Sequence, residues 1–118
     1  MATLLDQLKT MTTIVADTGE VQAIKDLKPV DATTNPSLLL KARTLPQCEP
    51  MIAEAIAYAK SKSSDKDQQI EDAADKLAVL VGLEILKHIP GRISTEVNAS
   101  LSFNIDKMVA KGKNIIAL

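Results

Sequence analysis

The stretch Val30 to Leu39, reading VDATTNPSLL, decides how the rest of the chain is interpreted. Its first part, Val30 to Thr34, is rich in β-branched residues and predicts a short strand. Pro36 cannot continue a strand but suits the first turn of a helix, so Asn35 takes the helix-capping position. Ligands of α/β proteins bind just past the carboxyl ends of strands. Asn35 is therefore either a ligand-binding side chain or only a helix cap.

The composition is that of an ordinary globular domain. Of 118 residues, 46% are hydrophobic and 25% are charged, and the net charge is −1. A charge this small provides no basic field for nucleic acid or an anionic membrane, so we expect neither as a partner. Cys48 and His88 are the only residues of their kind, and together they do not make a metal site. We therefore expect no metal and no cofactor.

Two features indicate where such a protein resides. A single cysteine cannot form an internal disulfide, which fits a reducing compartment. The N-terminal segment lacks the apolar core of a signal peptide, and no apolar run approaches the ~20 residues that span a bilayer. We expect a soluble, cytoplasmic protein.

Hydrophobic periodicity and breaker residues divide the chain into alternating strands and helices. Strands are predicted at 12–16, 30–34 and 92–97. Helices are predicted at 3–9, 20–27, 36–42, 50–60, 69–89 and 104–118, with a solvated polar linker over 61–67. Such alternation implies a parallel sheet covered by helices. Because a closed barrel of eight strand–helix units takes about 250 residues, the chain is either a small open sheet or less than half of such a barrel.

Each predicted strand ends in a polar residue: Asp17, Asn35 and Glu96. If the strands are parallel, these residues lie at one edge of the sheet. Two carboxylates and an amide at one edge can move protons and hold hydroxyl groups, which is a pattern for sugar or hydroxy-acid chemistry. The alternatives are structural, with Asp17 as a turn residue before Gly19 and Glu96 as a member of an ion pair at a strand end.

Strand alternation places further polar residues on the same face as these strand ends. Asp31 and Thr33 share a face with Asn35, and Arg92 shares one with Glu96. A buried charge without a partner is costly. We therefore expect Asp31 and Arg92 to face the interior, near each other or bonded to other polar groups there.

No other catalytic pattern stands out. The sequence has no glycine-rich phosphate loop, no Ser–His–Asp set and no metal-ligand spacing. His88 comes at the end of a predicted helix, just before Pro90. It is predicted to contact the terminal backbone carbonyls rather than to act in catalysis.

Three segments resemble signatures of the transaldolase family. They read IVADTGE at 14–20, VDATTNPSLLL at 30–40 and PGRISTEVNASLSF at 90–103. The segments LDQLKTMTT, EAIAYAK and DKLAVLVGLEILKHIPGR also look like that family, particularly its longer enzymes of the bacterial and animal type. The resemblance covers essentially the whole chain, and DATTNPSL is a highly specific part of it.

The resemblance implies a fold and a reaction. The fold would be the N-terminal portion, about three β/α units, of a (β/α)8 TIM barrel with an extra N-terminal helix. The family transfers a dihydroxyacetone unit between sugar phosphates in the pentose phosphate pathway, through a Schiff base on a lysine. Sugar phosphates, among them sedoheptulose 7-phosphate and fructose 6-phosphate, are thus the implied partners, and a homodimer is left open as the assembly.

The resemblance also implies roles for the residues at the strand ends. Asp17 would be the general acid/base at the hydroxyl whose deprotonation breaks the carbon–carbon bond. Asn35 would hold a substrate hydroxyl. Glu96 would position a water molecule that relays protons during Schiff-base formation, and Thr33 would support that network.

The sequence departs from the family pattern in two respects. The Schiff-base lysine of the family lies on the fourth strand, which the sequence does not reach. The other lysines do not substitute for it, because they fall on predicted helices or ahead of the second strand; they include Lys28, Lys76, Lys87, Lys111 and Lys113. Where the family usually reads Asp-Ala-Arg after STEV, this chain has Asn98-Ala99-Ser100, which removes a local ion pair.

Two other functions remain open. One is a truncated, catalytically inactive transaldolase-like protein that acts only by binding a partner. The other is a small open-sheet ligand-binding domain. Because three parallel strands cannot close a barrel, we also expect residues 1–118 alone to be aggregation-prone, molten or dependent on a partner.

Overall fold

A three-stranded parallel sheet lies at the centre of the computed structural model, which describes all residues from Met1 to Leu118. The strands are β1 (Val15–Asp17), β2 (Asp31–Thr33) and β3 (Ile93–Ser94), and they pair in that order. This arrangement confirms the predicted parallel sheet, although closure into a barrel is not seen. Both outer strands therefore have an edge without a neighbour.

The strands are shorter than predicted, and the first begins later. Thr12 is not in β1, because its N–H donates to the Leu8 carbonyl (3.1 Å) and so belongs to the turn after the first helix. Asp17, predicted as a possible turn residue, is the last residue of β1 and pairs with Thr33. Beyond β2 the ladder continues for one more hydrogen bond, from the Thr34 N–H to the Ser94 carbonyl (3.1 Å).

Six α-helices surround or extend from the sheet: α1 (Leu4–Lys9), α2 (Val21–Leu27), α3 (Pro36–Ala42), α4 (Glu49–Lys62), α5 (Lys66–Leu86) and α6 (Ile105–Ala117). Short 3-10 turns occupy Pro46–Cys48 and Ala99–Leu101. The predicted linker of 61–67 shrinks to 63–65, because Asp65 caps α5 by accepting a hydrogen bond from the Gln68 N–H (2.8 Å). No helix of the chain combines the length and the apolar character needed to cross a bilayer.

One face of the sheet packs against α2 and α5, and this contact forms the core. Ala32 of β2 is buried there, with Ile24 from α2 and with Val81 and Ile85 from α5. Ala16 and Ile93, the neighbours of Ala32 on the flanking strands, pack against the same cluster. Because side chains alternate along a strand, Asp17, Thr33 and Ser94 lie on the opposite face, which no helix covers.

Asp31 and Arg92 are neighbours, as predicted, but they do not form an ion pair. The Asp31 carboxylate accepts a hydrogen bond from the backbone N–H of Arg92 (2.7 Å). The Arg92 side chain is exposed, so the expectation that it would be buried is wrong for this structure. The physical reason is that the face of the sheet on which Arg92 lies has no covering layer.

His88 faces a carboxylate instead of the backbone carbonyls predicted for it. Its Nε2 lies 3.5 Å from Oε1 of Glu84, one helical turn earlier. The pKa of Glu84 is lowered, chiefly by the hydrogen bond from Lys87, with a further contribution from His88. His88 therefore lies beside the Lys87–Glu84 ion pair at the end of α5, and the predicted carbonyl contact is wrong.

Candidate active site

Asp17 and Thr33 form the centre of the candidate site. They are direct partners in the register of β1 and β2, so their side chains lie on the same face of the sheet. The Thr33 hydroxyl donates a hydrogen bond of 2.9 Å to Oδ1 of Asp17. The bond orients an exposed carboxylate over the uncovered face, where a substrate hydroxyl can reach it.

Asn35 follows β2 and caps α3, which confirms the capping interpretation. Its Oδ1 accepts a hydrogen bond from the Leu38 N–H (3.0 Å). Pro36 fits the first position of the helix because that position needs no N–H donor. The side-chain NH₂ of Asn35 donates to no group of the chain, so capping leaves it free to bind a ligand oxygen.

Glu96 lies two residues beyond the end of β3, and it is exposed. The predicted alternative, an ion pair at the strand end, is wrong, because none of the five ion pairs of the chain includes Glu96. Glu96 lines a cavity of about 330 Å³ together with Asn35 and Thr34. Glu96 and Asn35 thus share one cavity.

The predicted site residues meet at the carboxyl edge of the sheet but form two groups there. Asp17 and Thr33 lie on the uncovered face, whereas Asn35 and Glu96 line the cavity between α3, α5 and the segment after β3. Strand alternation predicts a common face for Thr33 and Asn35. The backbone leaves the strand at Thr34, so alternation does not extend to Asn35.

No lysine lies on a strand of the sheet or lines the cavity beside Glu96, since all lysines lie on helices or on the residues that cap them. The ammonium of Lys111 lies between two carboxylates, 2.6 Å from Asp75 and 3.6 Å from Glu71. Burial alone would lower the pKa of Lys111, but the hydrogen bond and charge of Asp75, aided by Glu71, outweigh burial and raise it. A lysine with a raised pKa is protonated at neutral pH and is a poor nucleophile.

The departure at Asn98-Ala99-Ser100 has a local structural counterpart. Asn98 accepts a hydrogen bond from the Ser100 N–H (3.1 Å) and opens the 3-10 turn that follows. A neutral turn therefore stands where the family pattern has a charge pair.

The sequence patterns did not indicate that three further residues belong to the site. Thr34, Arg43 and Thr95 line the same cavity as Asn35 and Glu96. The strand-to-helix turn predicts where Thr34 lies, but its contact with a cavity depends on the packing of α5. Arg43 follows a helix of seven residues, and only the placement of that helix brings it to the cavity.

Parallel strands with covering helices define an α/β protein, and a hydroxyl–carboxylate pair lies at the carboxyl edge of its sheet. The model of one family, described as transaldolase/fructose-6-phosphate aldolase, matches residues 14–118. The chain belongs to this family.

Curated relatives agree with the family match over the whole chain. The chain is 74% identical to a transaldolase of Methylobacillus flagellatus and 75% identical to one of Methylomonas aminofaciens, each over 118 residues. A transaldolase of Marinomonas sp. is 60% identical over the same length. All of this chain is covered in each comparison, but it spans only 37% of the length of these relatives.

Proposed function

We propose that residues 1–118 form the N-terminal part of a transaldolase with a (β/α)8 barrel. The enzyme would transfer a dihydroxyacetone unit between sugar phosphates, with sedoheptulose 7-phosphate or fructose 6-phosphate as donor and aldose phosphates as acceptors, in the pentose phosphate pathway. Family membership and the names of the relatives support this proposal. The observation that carries it is the hydrogen bond of 2.9 Å from Thr33 to Asp17 at the carboxyl edge of the sheet.

In the proposed mechanism, Asp17 removes the proton from the hydroxyl adjacent to the bond that breaks. The electron pair of the broken carbon–carbon bond moves into a protonated Schiff base between the ketose and a lysine outside residues 1–118. Thr33 keeps the Asp17 carboxylate aimed at that hydroxyl. Asn35 donates from its free NH₂ to a substrate oxygen, and Glu96 holds the water that relays protons while the Schiff base forms.

We further propose that the enzyme is cytoplasmic and that it works as a homodimer. Neither proposal affects the chemistry above, because the residues that it uses all come from one chain.

The test is a family-length chimera that joins residues 1–118 to the portion of the Methylomonas aminofaciens transaldolase beyond the N-terminal 37% that they match. The chimera should exchange dihydroxyacetone between fructose 6-phosphate and erythrose 4-phosphate. Reduction with borohydride in the presence of fructose 6-phosphate should add one dihydroxyacetone unit, seen by intact mass.

Two outcomes separate the alternatives. A folded chimera that is inactive, while the Methylomonas enzyme is active in the same assay, contradicts the proposal and supports the non-catalytic alternative. The chain of residues 1–118 alone, treated in the same way, should acquire no adduct. A specific adduct on one of its lysines would show that the nucleophile has been misplaced.

A further inference from the structure

A second feature of the carboxyl edge is the cavity of about 330 Å³ between α3 and α5. Its volume is at the lower end of the range of about 300–1,000 Å³ typical of small-molecule sites. Leu39 of α3 and Leu77 of α5 belong to its apolar lining, and its polar lining comes from both helices, from the turn after β2 and from the segment after β3. Asp17 and Thr33, on the uncovered face of the sheet, do not line it.

Thr34 contributes an unsatisfied hydroxyl to this cavity. The residue is only 1% exposed, and its Oγ1 has no hydrogen-bond partner in the chain. A buried hydroxyl without a partner is unfavourable, and such groups in native proteins normally meet a ligand or a water molecule. Thr34 lines the cavity, so a ligand bound against this wall is one group that can complete the bond.

The charges around the cavity restrict what that occupant can be. Arg43 is the only cation of the lining, and it takes part in none of the ion pairs of the chain. Asp75 also lines the cavity, but Lys111 at 2.6 Å balances its charge. Glu96 takes part in no ion pair either, so the lining has one unpaired cation, which matches the single charge of a carboxylate, and one unpaired carboxylate, which can accept from a ligand hydroxyl.

From these observations we propose that the cavity binds a small hydroxy-carboxylate. The carboxylate of the ligand lies on the guanidinium of Arg43, whose planar fork matches it with two parallel hydrogen bonds. A hydroxyl of the ligand bonds to Thr34, and its carbon chain lies against Leu39 and Leu77. Asn35 and Glu96 line both this cavity and the proposed active site, so an occupant of the cavity contacts two residues of the catalytic edge.

The test measures binding of D-glycerate to the family-length chimera by titration calorimetry, with glycerol as the neutral probe of similar shape. Saturable binding with one site per chain is expected for D-glycerate and not for glycerol. Arg43→Ala should weaken binding about tenfold or more, since it removes a charge-assisted pair. Thr34→Val should weaken it less, and Arg43→Lys should restore part of the affinity.

Two controls separate this proposal from the proposed function. Lys41→Ala removes an exposed cation of α3 that does not line the cavity, and it should leave binding unchanged. Asp17→Asn should lower the kcat of transfer by about 10²–10⁴-fold and leave glycerate binding unchanged. The proposal is overturned if wild-type protein shows no saturable binding, if Arg43→Ala binds as well as wild type, or if Asp17→Asn removes binding. A crystal structure with only water or another part of the chain in the cavity at saturating D-glycerate would also overturn it.

Discussion

The hydroxyl of Thr33 and the carboxylate of Asp17 are joined by a hydrogen bond of 2.9 Å between adjacent parallel strands. The bond exists because the register pairs these residues directly, on the face of the sheet that carries no helix. In the proposed enzyme this carboxylate removes a proton, and Thr33 limits the directions in which it can point.

The first prediction concerns this pair in the family-length chimera. Asp17→Ala should lower kcat by about 10²–10⁴-fold, the usual contribution of a general acid/base, while the Schiff base still forms. Thr33→Val should lower kcat by about tenfold, because the carboxylate loses one orienting hydrogen bond. Steady-state kinetics and borohydride trapping check both effects. Loss of the trapped adduct in Asp17→Ala would mean that the role assigned to Asp17 is wrong.

The second prediction concerns the stability of residues 1–118 on their own. Only 15 of 118 residues are buried, α6 has no buried residue, and apolar side chains such as Ile116 (87% exposed) face solvent. The radius of gyration is 15.9 Å, against about 13.5 Å for a compact chain of this length. Each large apolar side chain left uncovered forfeits about 1.5–3 kcal/mol, which is a large part of the 5–15 kcal/mol that stabilises a domain.

We therefore expect the isolated polypeptide to aggregate or to melt without a cooperative transition. Differential scanning calorimetry and light scattering in dilute buffer measure this directly. A monodisperse monomer with a sharp transition would contradict the prediction and would favour the small open-sheet interpretation.

The third prediction compares two glycines in the family-length chimera. A Cβ at Gly91 would lie 2.6 Å from the Val30 carbonyl oxygen and would also collide with the Asp31 carboxylate. Gly91→Ala should therefore destabilise the protein by more than about 1 kcal/mol, since the clash involves backbone. The control is Gly112→Ala, which meets no atom within 4 Å in α6 and should stabilise by about 0.5–1 kcal/mol. Urea unfolding gives both values, and equal effects of the two changes would contradict the placement of Gly91.

The fourth prediction concerns the ion pair between α6 and α5 in the same chimera. The pKa of Lys111 is raised in the folded state because Asp75 and Glu71 outweigh the effect of burial. The stabilising contribution of Lys111 is therefore complete below its unfolded-state pKa of about 10.4 and is lost as the pH rises through the higher folded-state value. At pH 7, Lys111→Met should destabilise by about 1 kcal/mol.

The pH dependence distinguishes this ion pair from simple packing. The stability difference between wild type and Lys111→Met should shrink as the pH rises from the unfolded-state pKa of about 10.4 through the higher folded-state pKa, where the wild-type ammonium also loses its charge. Lys113→Met is the matched control, because Lys113 is exposed on the same helix and joins no ion pair. A difference that stays constant while the pH rises from 7 through this whole range would show that the charge of Lys111 has no net effect.

Local features of the fold could be predicted, because their causes lie within a few residues. Asn35 and Pro36 end a strand and begin a helix whatever surrounds them, and the structure shows both. The parallel sheet follows from strands that alternate with helices. The ends of α4 and α5 were less accurate, because the capping of α5 by Asp65 moves the boundary by several residues.

Contacts between distant residues could not be predicted to the same depth. Arg92 is exposed because no helix covers its face of the sheet. Which face a helix covers depends on how the helices pack and not on the residues next to Arg92. Arg43 and Thr34 come to one cavity only because α3 and α5 pack side by side.

The sequence by itself determined the family, the order of strands and helices, and the candidate residues Asp17, Thr33, Asn35 and Glu96, since short motifs carry that information. Tertiary structure alone decided how those residues are grouped. Register joins Asp17 to Thr33, while the backbone leaves β2 after Thr33 and carries Asn35 to the cavity with Glu96. The physical reason is that backbone preference acts over a few residues, whereas register and helix packing depend on contacts between segments far apart in the chain.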